Sequence, residues 1–164
     1  MILNNQRLQG CKSEHEALLQ EHIERMVQLQ RSIIDGKVKF CGIEELILAL
    51  GQFDTVQALP AGISRGRMKR CFQNAYHLML EGYVYVEGIA MTATCLFPTF
   101  HAWCVDENGG VIDPTWPDGV AYLGVHLRRE FVLERVMKKG RYGVFGNIEA
   151  RDLYEYGLPK GVLT

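Results

Sequence analysis

The sequence has no long apolar run. Its longest, Leu46-Ile47-Leu48-Ala49-Leu50, falls far short of the roughly 20 residues that cross a bilayer, and Met1 to Asn5 lacks the apolar stretch of a secretory leader. No membrane span or export signal is expected, so the chain reads as soluble and cytoplasmic. Charge of one sign is also lacking: 18 Lys and Arg stand against 19 Asp and Glu. A balance so near neutrality creates no general field for gathering nucleic acid or anionic lipid, and neither is an expected partner. The five cysteines contain no C-x-x-C pair, which argues against a disulfide framework or a zinc site and for free thiols in a reducing compartment. Cys95, His101 and Cys104 are the best metal candidates, but they lack an evident fourth ligand; no metal or cofactor is expected. Repeats, low-complexity segments and linkers are missing as well. The 164 residues therefore read as a single domain, long enough to bury roughly two thirds of its unfolded surface.

Residues 1–60 read as a helical N-terminal part. Ser13 and Glu16 match a capping box, and Leu19, Ile23, Met26, Val27, Gln30, Ile33 and Ile34 trace one stripe up to Asp35-Gly36. Such a helix covers a sheet or pairs with a partner, and self-association through it is one expectation. Ile43 to Leu50 predicts a second helix stopped near Gly51, and Ala61 to Arg70 a loop. Beyond it the pattern predicts a helix over Cys71 to Glu81 closed by Gly82, then strands at Tyr83–Val86, Phe100–Val105, Val111–Asp113 and Tyr122–Leu127. A helix over Arg128–Lys139, a short strand at Tyr142–Phe145 and a last helix capped by Asn147 and stopped at Gly157 complete the chain. Residues 61–164 thus read as a helix packed on an antiparallel meander, which is an α+β class.

Three residues carry the chemistry. Cys71 sits at a predicted helix start, where unsatisfied N–H groups place partial positive charge at the sulfur and could donate to an oxyanion. Arg65, Arg67, Lys69 and Arg70 precede it and add cationic charge that favours a thiolate or an acidic substrate. His101 and Asp113 are separated by an even number of positions. A three-residue loop centred on Glu107 would set them opposite each other on one face, whereas a two-residue Asn108-Gly109 turn would pair Asp113 with Cys104 on the other face. Both hairpins are open from sequence alone. Trp103 shares the His101 face and Trp116 follows Asp113 closely, so both are candidates to line a site. Tyr122, Gly124 and His126 read as strand and packing residues.

Cys71-Phe72-Gln73-Asn74-Ala75, the strand Tyr85 to Ala90, His101-Ala102-Trp103 and Asp113-Pro114-Thr115 occur in the order seen in a known group of enzymes. Over about Met68 to Trp116 the chain resembles the transglutaminase-like branch of the papain-like cysteine enzymes. The resemblance implies a papain-like fold with Cys71 as nucleophile, His101 as general base and acid, and Asp113 orienting His101. The family often carries glycine shortly before the nucleophile, where this chain has Lys69-Arg70. A glutamine placed like the papain oxyanion donor is missing, since Gln57 lies fourteen positions before Cys71. Gln73 or backbone N–H groups are the substitutes. The expected activity is cysteine-dependent acyl chemistry on the amides of a protein or peptide substrate, either glutamine deamidation or transfer to an amine. A specific peptidase or isopeptidase is the alternative within the class, and an inactive binding or effector protein is the alternative outside it.

Overall fold

The computed structural model describes residues 13–34, 36–146 and 150–164. Among these residues the architecture is α+β: five helices and a five-stranded antiparallel sheet. Helix α1 (Glu14–Ile33) starts where Ser13 Oγ accepts the Glu16 N–H at 3.1 Å, as the capping pattern predicts. Its stripe is shorter than expected. Leu19 and Ile23 are fully buried, but Ile33 and Ile34 are exposed. The last turns are instead tied by polar contacts to the helix that follows, Gln30 to Glu44 and Arg31 to Glu45. Helix α2 (Ile43–Leu50) buries Leu46 and Ile47 and stops at Gly51 as read. The N-terminal part, read as helical, also carries a strand just beyond α2, because Gln52–Phe53 forms an edge strand, β1. Asp35, Asn147 and Met1 to Asn5 lie outside the described residues.

The remaining strands are β2 (Val84–Thr92), β3 (Thr99–Val105), β4 (Val111–Ile112) and β5 (Gly119–Leu127), in spatial order β1-β5-β2-β3-β4. Strand β2 runs six residues beyond the end at Val86 expected from the residue pattern, and two beyond Ala90, where the resemblance ended it. It is central and buried on both faces, so the period-two alternation that marks a half-exposed strand is missing from it. Glu87, which looks like a break in the pattern, is fully buried. Its carboxylate accepts from Tyr85 Oη and from the backbone N–H groups of Val144 and Phe145. Burial pushes its pKa up against those bonds. The same contacts correct the expected strand at Tyr142–Phe145: those N–H groups bond a side chain instead of a neighbouring strand, and the segment is a bend.

The two faces of the sheet have different fillings. One, with Tyr85, Ile89, Met91, Cys104, Ile112 and Val125, joins the core formed with α1, α2 and helix α3 (Cys71–Leu80). The other carries Val86, Ala90, Trp103, Val105, Val111 and Tyr122. Gly88 and Gly124 make room on that second face, since a Cβ at either would come within 2.7 Å of the Trp103 ring. Helices α4 (Arg129–Lys139) and α5 (Arg151–Tyr156) are joined by a two-pronged pair, Arg135 to both oxygens of Asp152. Among the described residues no helix is long and apolar enough to cross a membrane.

Candidate active site

Cys71 is the first residue of α3. Burial of Ala75, Leu78 and Met79 fixes the helix on the sheet, and α3 packs against β3. Its N-terminus has no side-chain cap among the described residues, so the first N–H groups are available to a ligand at the sulfur. Just before it, Lys69 adopts φ 62, a left-handed conformation that favours glycine. The chain therefore makes the turn into α3 on a left-handed lysine.

His101 reaches Cys71 because of where β3 is left open. Strand β4 pairs only with Cys104 and Val105, which leaves the His101 end of that β3 edge without a strand partner. Helix α3 meets β3 there, with Phe72 against Phe100 at 5.2 Å between ring centres. The hairpin differs from both expected registers. Cys104 pairs with Ile112 and Val105 with Val111, so the loop is five residues long and centred on Asn108. Asp106 explains the longer loop, since its Oδ1 accepts from the N–H groups of both Asn108 and Gly110 at 2.9 Å. Moving the centre from Glu107 by one whole residue changes the pairing by two positions, so side-chain parity is kept. Asp113 stays on the His101 face and away from Cys104.

The result is a buried, fully engaged ion pair. Asp113 Oδ2 lies 2.8 Å from His101 Nε2 and accepts from Tyr122 Oη at 2.9 Å. Oδ1 accepts from the N–H groups of Thr115 at 2.8 Å and Trp116 at 3.1 Å. With the carboxylate on Nε2, that nitrogen carries the proton and Nδ1 is the ring nitrogen left over, while the Cys71 side chain lies near enough to help raise the ring's pKa. Burial alone would lower the imidazole pKa, but the hydrogen bonds and charges of Asp113 and Cys71 carry it up to about 8. Trp116 lies flat on the ring, 3.7 Å between centres and 8° between planes, and covers one face of it.

The approach loop is stapled to this centre. Arg65 Nη1 donates to the carbonyls of Asp113 and Trp116, Gly66 N–H donates to Pro114 O, and Asn74 Nδ2 donates to Arg67 O and Thr115 Oγ1. Arg65 is therefore a clamp more than a source of field at the sulfur, while Lys69 and Arg70 stay exposed.

Several sequence candidates fall elsewhere. Gln73 sits two residues along α3 from Cys71, about 200° around the helix axis, which leaves backbone N–H groups as the better oxyanion donors. Gln57 is engaged with Asp106 at 2.9 Å. Trp103 is fully buried behind the site, its Nε1 donating to Asp54 Oδ2 at 2.8 Å; His126 Nε2 meets Asp54 Oδ1 at 2.8 Å. Cys104 lies in the core on the opposite face with its thiol on Ala75 O, so the set Cys95, His101, Cys104 does not come together. Among the described residues no group of three His, Cys, Asp or Glu is placed to hold a metal. Tyr122, read as a packing residue, is bonded to Asp113; the only hint in the sequence is its strand position, because the bond crosses elements. A cleft of about 560 Å³ adjoins the site, walled by Met68, Phe97, Trp116 and Pro117, with Thr94 and Asp118 as polar lining. No family model, curated protein sequence or solved structure matches the chain.

Proposed function

We propose that this protein is a cysteine-dependent enzyme that acts on amide bonds, on a papain-like, transglutaminase-like version of its α+β fold. One observation supports this most: a buried imidazole held by a carboxylate at Nε2, its pKa raised in part by a thiol at an uncapped helix start. In this reading the Cys71 proton passes to His101 Nδ1, giving a thiolate–imidazolium pair, and the sulfur then attacks the amide carbonyl. The oxyanion is received by the N–H groups that open α3. His101 then returns the proton to the departing nitrogen, the C–N bond breaks, and an acyl-thioester remains on Cys71. Water or an amine releases it, with His101 again as the base.

The preferred substrate is a glutamine side-chain amide on a protein or peptide, giving deamidation with water or transfer with an amine. The cleft beside Trp116 favours a second reading. Its size is that of a small ligand site and its walls are apolar, which would suit a residue next to a peptide or isopeptide bond. Incubating wild type and Cys71→Ala with candidate proteins separates these outcomes by mass. A gain of about one dalton with ammonia release reports deamidation, an adduct reports transfer, and backbone cleavage by wild type alone reports a peptidase. Limiting alkylation tests the class itself. Cys71 should label before Cys11, Cys41, Cys95 and Cys104, whereas a rate no higher than that of an ordinary thiol would mean an inactive binding protein.

A further inference from the structure

Asp113 is held from more directions than a partner for one histidine requires. A carboxylate offers about four acceptor sites, and four donors fill them: Thr115 N–H and Trp116 N–H on Oδ1, His101 Nε2 and Tyr122 Oη on Oδ2. The two on Oδ1 come from the loop that carries Asp113 itself. They hold Oδ1 and do not reach Oδ2. Tyr122 comes from β5, two strands away from β3 in the sheet, and is the donor that ties Oδ2 to a separate element.

The hydroxyl has little freedom to do anything else. Tyr122 is 2% exposed, and its ring meets Trp103 edge to face at 5.0 Å. A Cβ at Gly119 would sit 1.8 Å from the Tyr122 oxygen, so only glycine lets the phenol lie where it does. Burial, with Asp113 alongside, pushes the phenol well above its ordinary range and keeps it a donor. The geometry points to Tyr122 as a positioning residue that fixes the plane of the Asp113 carboxylate and through it aims His101 at Cys71. Its consequence for catalysis rests on the enzyme reading above, but the positioning itself is measurable without a substrate.

The test is the titration of His101 in the isotopically labelled full chain, followed by NMR and assigned with His101→Gln. The titratable groups facing this ring are Cys71 from α3, Asp113 beyond β4 and Tyr122 from β5. Arg65 lies on the Asp113 carbonyl, and Asp54 is engaged by Trp103 and His126 instead. Tyr122→Phe removes one oxygen and keeps the packed ring. The expected result is a midpoint lowered from about 8 by about one unit, a tenfold shift in the imidazolium-to-imidazole ratio. Cys71 alkylation near pH 7.5 should slow several-fold in parallel. Gly119→Ala, which displaces the phenol without removing it, should lower the midpoint in the same direction. An unchanged midpoint in a folded Tyr122→Phe protein would reduce Tyr122 to packing. A raised midpoint would mean that the hydroxyl only drains charge from Asp113; either overturns the inference. If wild-type Cys71 is no more reactive than an ordinary thiol while the midpoint still falls, the enzyme reading fails and the positioning role stands.

Discussion

Asp113→Asn separates charge from shape at the centre of the site. The amide has nearly the same volume but only one acceptor oxygen. The N–H groups of Thr115 and Trp116 need an acceptor on the Oδ1 side. The amide oxygen is therefore expected there, and the NH2 group faces His101 and Tyr122. His101 must then accept at Nε2 and carry its proton on Nδ1, the nitrogen that faces Cys71. It can no longer take the thiol proton. Asp113 supplies a hydrogen bond and a charge that raise His101, against the burial that lowers it, so without them the midpoint should drop from about 8 to below its ordinary 6.5. At pH 7 the imidazolium would fall from about nine tenths of the population to less than about a quarter. NMR titration of His101 reads the change directly, and alkylation of Cys71 reads its consequence as a rate reduced to that of an ordinary thiol. A midpoint still near 8 in the variant would refute the reasoning, because Asp113 would then not be what holds the charge.

Three further outcomes are expected. His101 has its pKa raised on folding from 6.5 to about 8; its contribution is therefore complete below pH 6.5 and is lost as pH rises through 8. Urea unfolding across that window should show a loss of about 2 kcal/mol in wild type and none of it in Asp113→Asn. Lys69→Gly should stabilise the protein by up to about 1 kcal/mol in the same assay, since φ 62 strains any residue with a Cβ; a destabilised variant would mean that the lysine stem has a packing role. Glu87→Gln should cost about 1–3 kcal/mol, because an amide cannot accept from both Val144 and Phe145 N–H groups on separate oxygens. An unchanged urea midpoint there would show that the Tyr142–Phe145 bend does not depend on this carboxylate.

Much of the fold was legible where local chemistry decides it. The Ser13 cap, the stop at Gly51 and the helix from Cys71 all follow from short-range hydrogen bonding and periodicity. From its residue pattern strand β2 was legible only to Val86, although the resemblance carried it to Ala90, because Glu87 and Gly88 look unfit for a central strand until Val144, Phe145 and the Trp103 ring are brought to them. The exposed end of α1 was misread for a related reason: periodicity reveals which residues could share a face, and not whether anything is placed against it.

The site divides along the same line. Sequence alone determined the reactive types and their spacing: a thiol at a helix start, and a histidine and a carboxylate an even distance apart across a turn. Whether the two share a face was left to the loop, since a strand repeats every two residues and an odd loop of three or five keeps the face while a two-residue turn reverses it. Tertiary structure decided what depends on distance between elements. It opened the β3 edge beside α3 by keeping β4 to two residues, laid Trp116 on the imidazole, and brought Tyr122 from β5 to the oxygen that His101 uses. None of these is encoded by spacing along the chain. Each arises because the core packs the sheet and α3 in one arrangement, and hydrogen bonds a few ångströms long then form only between the groups that this packing brings together.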